Sequence, residues 1–272
     1  MDLSIVILNY KTKGLLRQCI RGVRMFNLAF QTEIIVVDNF SQDGTREMMK
    51  MEFPSIEFIE TKRNLGFGSG MNAGIRVAKG KYLLLLNTDI AIFDKAIPTL
   101  FSYMESHPKV GIVGPRLVNP DGSVQLSCYR FPTFWTALWR RSPFGNLSPV
   151  RKFLRRYLML DFDHKTSRPV DWILGACMLV RTKAIQDVGL FDERFFLYVE
   201  DTDWCRRFWE SGWEVHYVSD AEIVHYHSRQ SAENPGLSGV FTYATRVHIA
   251  SWIKYFLKYS GRRAPHPYTT DF

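Results

Sequence analysis

Little in this chain points to secretion, thiolate chemistry or a membrane span. Its 272 residues include only four cysteines, Cys19, Cys128, Cys177 and Cys205. They form no CxxC pair and have no zinc-ligand spacing, which fits reduced thiols packed inside a cytosolic protein. No run approaches the roughly 20 apolar residues needed to cross a bilayer. The segment from Leu3 to Leu8 has no basic leader before it and reads as a buried strand rather than a signal peptide. No GK[ST] follows a glycine-rich turn, which excludes a Walker loop. No GxGxxG follows the first apolar run either, which argues against a dinucleotide enzyme. Internal repeats and low-complexity blocks are also missing. The expected location is the cytoplasm, with peripheral contact on the inner face of the cell membrane.

The composition, 46% hydrophobic and 23% charged, is that of a globular protein with a real core. Its formal charge of +8 favours anionic partners such as nucleotide phosphates or an acidic membrane surface. Apolar runs alternate with helix-like segments in the first half. The runs are Ser4–Leu8, Glu33–Asp38, Ile56–Glu60 and Tyr82–Leu86; helical patterns cover Lys13–Met25, a stretch from near Ser41, and Gly70–Ala78. Strands apolar on both faces and separated by helices imply an α/β fold with a mainly parallel central sheet flanked by helices. Residues 130–168 differ: Phe131, Phe134, Trp135, Leu138 and Trp139 alternate with Arg140, Arg141, Arg151, Arg155 and Arg156. Such a mixture suits a headgroup interface, a mobile loop, or a helix packed on the core. The tail around Trp252, Tyr255, Phe256 and Leu257 has the same character.

In open parallel sheets, ligands lie at the carboxyl ends of the strands. Those ends carry Asn9-Tyr10, Asp38-Asn39 and Asn87-Thr88-Asp89. Asp38 is placed to accept a hydrogen bond from a base or ribose, while Ser41 and Asp43 supply helix caps. The turn from Asn64 to Gly70, which includes Gly66, lets backbone N–H groups approach a phosphate or sugar. Asp89, at the end of YLLLL, suits a hard divalent cation. Glu200, Asp201 and Asp203 crowd like charges at a helix start. That crowding raises at least one pKa and suits a general base. His225 and His227 lie on one face of a strand, within reach of a metal or phosphate.

The ordered series VILNY, VVDNFSQDGT, NLGFGSGMNAGI, LLLLNTDI, GACMLVRTKAI, GLFDERFFLYVEDTDWCRRFWESGW and HYH resembles the family 2 inverting glycosyltransferases. Among these it is most similar to bacterial rhamnosyltransferase-type members. The resemblance spans about residues 3–230 and implies a GT-A fold over residues 1–230. Residues 1–90 would form the nucleotide-sugar half and 91–230 the acceptor and catalytic half; residues 231–272, beyond the resemblance, are expected from their own aromatic and basic residues to form a helical, membrane-contacting tail. The resemblance implies that Asp38 reads the base, that Arg63, Asn64 and Asn72 lie near the diphosphate or donor sugar, and that Asn87-Thr88-Asp89 stands at the family's Asp-x-Asp motif. The first acid of that motif is Asn here, leaving Asp89 as its only carboxylate. Mn2+ or Mg2+ would be held by Asp89 with His225 or His227. Asp201 would be the base beside Glu200, and Asp203, Trp172 and Gly175 would face the acceptor. The resemblance favours dTDP-rhamnose as donor, then UDP-hexoses. The implied acceptor is a hydroxyl of a growing, lipid-linked cell-surface glycan, and no nucleic acid is expected to bind. A sugar nucleotidyltransferase would share the sheet and acids but needs an N-terminal glycine-rich loop, which VILNYKTKG lacks. A non-catalytic glycan- or membrane-binding module would not need Asp89, Glu200, Asp201 and Asp203.

Overall fold

The computed structural model describes residues 1–26, 28–93, 95–140, 147–226 and 242–265. The N-terminal half runs β1 (Leu3–Asn9), α1 (Lys13–Met25), β2 (Thr32–Asp38), α2 (Thr45–Glu52), β3 (Glu57–Glu60), α3 (Phe67–Ile75) and β4 (Tyr82–Asn87). These four strands are mutually parallel. Next come β5 (Ile90–Ile92), α4 (Ala96–Ser106), β6 (Val110–Val118), β7 (Val124–Gln125), β8 (Cys128–Tyr129), α5 (Phe134–Trp139) and α6 (Ser148–Tyr157). The chain continues through β9 (Arg168–Pro169), β10 (Trp172–Ile173), β11 (Cys177–Arg181), α7 (Thr182–Val188), α8 (Glu200–Glu210), β12 (Glu214–His225) and α9 (Tyr243–Lys258).

One sheet carries both halves, in the order β3-β2-β1-β4-β11-β6-β12-β5. Strand β11 is antiparallel to both β4 and β6, and β12 is parallel to β6. Strands β1, β2, β4, β6 and β12 therefore point the same way and deliver their C-terminal ends to one edge. Alternation along each strand splits the core. Leu3, Ile5 and Ile7 of β1 pack with Leu16 and Ile20 of α1 and Leu100 of α4 on one face. Val6 and Leu8 pack with Met71 of α3, and Trp204 and Phe208 of α8 belong to the same cluster on the other face.

Two helices start away from their expected positions. Helix α3 begins at Phe67, about one turn early, because its glycines are demanded by packing. A Cβ on Gly70 would lie 2.7 Å from Leu8 Cδ1, and one on Gly74 2.4 Å from Val6 Cγ1. Helix α2 begins at Thr45 rather than near Ser41, with Gly44 in the left-handed region as its N-cap. Ser41 does not cap it; its hydroxyl is used by Asn9 and by the Lys11 N–H. All four cysteines are free and buried, and burial pushes the Cys19 and Cys128 thiols up to about 12, which keeps them protonated and inert. No helix among the described residues is long and apolar enough to cross a membrane.

Helix α9 is fastened to α8 by a buried ionic knot. Asp203 Oδ1 accepts from Lys258 Nζ at 2.5 Å and from the Tyr259 hydroxyl at 2.8 Å, while Oδ2 accepts from Arg207 Nε at 2.9 Å. The carboxylate is wholly buried. Asp203, expected at the acceptor, instead spends Oδ1 on holding the C-terminal helix and Oδ2 on Arg207 of its own helix. Replacing one partner of such a pair leaves the others charged and unmatched in a dry site. Asp203→Ala should therefore cost about 3–5 kcal/mol of stability, read as a lowered urea midpoint with an unchanged m-value.

Candidate active site

The shared edge of strand ends gathers Asn9, Asp38, Asn87 and His225. Asp38 is 1% exposed. Its Oδ1 accepts from Asn9 Nδ2 at 2.7 Å and from the Ser41 hydroxyl at 2.5 Å, and its Oδ2 accepts from the Ser41 N–H at 3.0 Å. It thus folds the residues after β2 back onto β1. It also lines a cavity of about 260 Å³ shared with Gln42, Asp43, Gly44, Thr45, Arg46, Glu47 and Glu60. Lys11, Phe40 and Gln42 beside it all adopt positive φ, a conformation non-glycine residues hold only where the surroundings impose it. Tyr10 is exposed with Lys11 Nζ over its ring, and Arg63 is exposed.

The glycine-rich turn is knitted from inside. Asn39 Nδ2 donates to Asn64 Oδ1 and to the Gly66 carbonyl, and Asn39 Oδ1 accepts from the Leu65 N–H. Gly66 has φ +83°, and a Cβ there would lie 2.0 Å from the Phe196 carbonyl oxygen. Only glycine fits, because the turn docks onto the segment preceding α8, where the Phe67 N–H donates to that same carbonyl. Asn72 is fully buried and brackets Phe191, donating to its carbonyl and accepting from its N–H. Asn39, Asn64, Gly66 and Asn72 thus fix the glycine-rich turn against the segments that precede α8.

Asp89 and His225 meet where β5 starts beside the end of β12. Ile90 pairs with His225, and the Tyr226 N–H donates to the Asp89 carbonyl. Asp89 Oδ1 is buried without a hydrogen bond and lies 3.4 Å from His225 Nε2. Gln125 decides which atoms face each other. Its Nε2 donates to Asn119 Oδ1 at 3.0 Å, which leaves Oε1 to accept from His225 Nδ1 at 2.6 Å. His225 Nε2 is thereby turned toward a carboxylate oxygen. An imidazole nitrogen and a carboxylate oxygen facing each other this way could hold a cation between them. Among the described residues no group of three or more His, Cys, Asp or Glu could hold a metal, so the protein offers a carboxylate and an imidazole here. A divalent cation held by these two groups would have to take its remaining ligands from substrate phosphates and water. His227 lies outside the described residues. Thr88 bonds to Thr12, and the Asn87 carbonyl faces Cys19.

The acid pair opens α8. Tyr198 and Val199, immediately before it, have φ +66° and +73°, costly for a β-branched residue. Asp201 Oδ2 accepts from the Gly175 N–H at 3.0 Å, and Oδ1 from the Thr202 N–H at 2.7 Å. Glu200 Oε2 is buried with no hydrogen bond. Burial and then the charge of Asp201 push the Glu200 pKa well above the ordinary range. Burial also raises that of Asp201, but the bonds from Gly175 and Thr202 pull against it. The pair therefore ionises at Asp201 first, and Glu200 keeps the proton. Gly175, expected at the acceptor, instead orients the Asp201 carboxylate through its N–H. Trp172 is buried, stacks on Tyr129 at 4.4 Å, and donates its indole N–H to the Arg130 carbonyl, so it shapes the wall rather than offering a polar contact.

The strand end that leads to Asp89 and the acid pair are joined through one turn. The Asn87 N–H donates to the Ala176 carbonyl at 3.0 Å, and Gly175 next to it donates to Asp201. Sequence reasoning missed Gln125 and Thr202. The Asp121-Gly122 turn, which folds β7 back onto β6, was the available signal for the first.

The fold is of GT-A architecture. Residues 4–188 match the family model Glycosyl transferase family 2, and the chain belongs to that family. It is 28% identical over 250 residues to the N-acetylglucosaminyl-diphospho-decaprenol L-rhamnosyltransferase of Mycobacterium tuberculosis, covering 87% of this chain and 78% of that one. It is also 28% identical to the Escherichia coli rhamnosyltransferase WbbL, covering 71% of this chain and 70% of that one. These relatives make it a rhamnosyltransferase-like glycosyltransferase. Among solved structures it resembles GalNAc-T7 with UDP, GalNAc and Mn2+ (TM-score 0.63, 18% identity, 88% of this chain and 46% of that one). A second is the Pyrobaculum calidifontis mannosyltransferase PcManGT with GDP-Man and Mn2+ (TM-score 0.58, 14% identity, 84% and 58%). At such identities these neighbours speak for the fold alone, and the chain spans about half their length.

The pair's protonation has a sign that stability should report. A carboxyl whose pKa is raised on folding binds more protons in the native state than in the unfolded one between the two values. Its contribution is complete below the unfolded value of about 4.3 and is lost as pH rises through the folded value. The denaturant stability of the wild type should fall across that window by up to about 1.4 kcal/mol per pH unit. Glu200→Gln, which cannot ionise, should flatten the slope there; an unchanged slope would place the shared proton elsewhere.

Proposed function

We propose that this chain is an inverting glycosyltransferase that moves a sugar from a nucleotide diphosphate to an acceptor hydroxyl, with Asp201 as base. The observation that carries this is the asymmetry of the acid pair. Two donors favour the Asp201 carboxylate, while its buried neighbour Glu200 has none on Oε2. An acceptor hydroxyl at Asp201 gives its proton to a carboxylate oxygen as its own oxygen attacks the anomeric carbon. The bond from that carbon to the diphosphate breaks on the opposite side, which inverts the centre. Asp89 and His225 would hold Mn2+ or Mg2+, which supplies charge neutralisation for the departing diphosphate. Asp38 and its cavity would take the base and ribose. Tyr10, Arg63, Asn87 and Thr88 would contact the donor directly, with Asn9, Asn39, Asn64, Gly66 and Asn72 fixing the shape around it.

Rhamnose from dTDP-rhamnose is the donor we favour, on the strength of the rhamnosyltransferases among the relatives, with UDP-hexoses next. The printed name of the mycobacterial relative includes a diphospho-decaprenol. By extension the acceptor is a hydroxyl of a glycan growing on a lipid carrier, at the cytoplasmic face of the membrane.

Asp201→Asn should lower kcat by about 10²–10⁴-fold, the usual range for a lost general base, with donor affinity kept and nucleoside diphosphate, not pyrophosphate, as the wild-type product. Near-normal turnover of the folded variant would dismiss Asp201 as the base. Gln125→Leu frees the imidazole of His225 to rotate, and loss of such an outer partner costs about 10–100-fold in metal affinity. Mn2+ titrated by electron paramagnetic resonance in the presence of dTDP should bind at least about tenfold more weakly to this variant. Equal affinity would mean that Gln125 does not orient the ligand.

A further inference from the structure

Three helices near the catalytic turn leave a surface that the glycosyl transfer itself does not use. Helix α5 has the sequence FWTALW and buries only Thr136. Phe134, Trp135 and Leu138 are all exposed, Trp135 at 55%. On α9, Ile249, Ile253 and Leu257 are exposed, Leu257 at 72%. The rings of Phe134 and Phe256 meet at 5.9 Å and nearly edge-on, so the two helices present adjoining apolar ground. Helix α6 packs against α5, and Arg140 at the end of α5 lies over the Tyr157 ring of α6. Helix α6 (SPVRKFLRRY) buries only Tyr157 and leaves Arg151, Lys152, Arg155 and Arg156 exposed.

The charge on this ground is one-sided. Helices α5, α6 and α9 contain no Asp or Glu, while α6 and α9 carry Arg151, Lys152, Arg155, Arg156, Arg246, Lys254 and Lys258. Two of these bases answer acids elsewhere, Arg155 to Asp161 and Lys258 to Asp192 and Asp203. The others meet no carboxylate from these three helices. A second protein would need acidic side chains to match this field and would bury the aromatics in a dry contact. An anionic bilayer supplies the negative charge and an interface where indole and phenyl rings partition together. No inserted span is required, in keeping with the absence of a spanning helix among the described residues.

We propose that the joined face of α5, α6 and α9 docks this enzyme on an anionic lipid surface, with Trp135, Phe134, Ile253 and Leu257 entering the headgroup region and the α6 bases binding phosphates. Helix α9 also touches the catalytic turn. The Ser251 hydroxyl donates to the Leu197 carbonyl at 2.8 Å, and Lys254 Nζ donates to the Arg194 carbonyl at 2.7 Å. Docking there holds Glu200 and Asp201 close to the lipid surface. The value of this for catalysis rests on the lipid-linked acceptor proposed above; the binding itself does not.

Flotation of the full chain with vesicles tests it, using pure phosphatidylcholine and an equal mixture of phosphatidylcholine and phosphatidylglycerol. The wild type should float with the anionic vesicles, far less with the neutral ones, and less at high salt. Trp135→Glu combined with Leu257→Glu should weaken anionic binding at least about tenfold. Arg151→Glu combined with Lys152→Glu should weaken it as well, without touching an apolar side chain. Both variants change exposed residues, so their melting curves and their turnover of a short water-soluble acceptor should match the wild type. A wild type that stays in solution with anionic vesicles, or variants that float as well as it does, would overturn the proposal. So would a lipid-free dimer that the Trp135/Leu257 variant abolishes, since a second copy would then own the face. Anionic binding together with turnover of soluble acceptors only would uphold the face and reject the lipid-linked acceptor.

Discussion

Two hydrogen bonds one residue apart hold the site together: the Asn87 N–H to the Ala176 carbonyl, and the Gly175 N–H to the Asp201 carboxylate. They exist because β11 runs against its neighbours. Its first residue, Cys177, pairs with Leu86 at the end of β4, so the turn leading into β11 falls on the edge where the parallel strands terminate. A strand parallel to β4 would have begun at the far side of the sheet. The reversal brings a backbone N–H to that edge, and the Asp201 carboxylate on α8 is aimed by it. A Cβ on Gly175 would lie 3.4 Å from Asp201 Cβ and from the Phe67 ring, an ordinary packing contact that shows how closely this turn lies against both the acid and the glycine-rich turn.

A second constraint acts from below the acids. Tyr198 and Val199 hold left-handed backbone that costs on the order of 1–3 kcal/mol each, and the surrounding structure must impose it. Phe195 and Val199 pack with Tyr255 and Tyr259 of the C-terminal segment, and Tyr198 stacks on His248 at 4.5 Å. On the other side the Phe196 carbonyl is gripped by the Phe67 N–H. Strain is held in place between the glycine turn and α9, and its product is a helix start that points two carboxylates into one buried spot. Their proximity then does the electrostatic work. Both cannot be charged in a dry environment, and the unequal supply of donors decides which one is.

The fold was legible because its strands are buried on both faces, so YLLLL and EIIVVD announce a parallel sheet without help from context. The polar tips of those strands were legible for the same reason. What the sequence hid was the direction of β11, since a five-residue strand with burial on nearly all positions reads alike either way. It also hid how polar residues are spent. Asn72 and Asp203 look like ligands in a motif, and both are buried and paired inside the protein, with Phe191 in one case and with Arg207, Lys258 and Tyr259 in the other. Motif position tells which residues are needed; only geometry separates those that touch a substrate from those that brace the ones that do. Gln125 went unread because its importance is a relation to His225, 100 positions away.

The C-terminal helix gathers these threads. It was expected as an appended tail, yet one of its faces fixes the strained turn through Ser251 and the buried knot through Lys258, while the opposite face exposes Ile253 and Leu257. A helix that is both a brace for the turn before Glu200 and Asp201 and an outer surface couples the two mechanically. Whatever presses on its exposed side acts through less than one helix diameter, about 10 Å, on the turn that sets Glu200 and Asp201. The turn before α8 and the exposed Ile253 and Leu257 thus share one rigid element. Were the acceptor to arrive on a lipid, as proposed, the seat of that helix on the surface, rather than a flexible linker, would set the distance from its hydroxyl to Asp201.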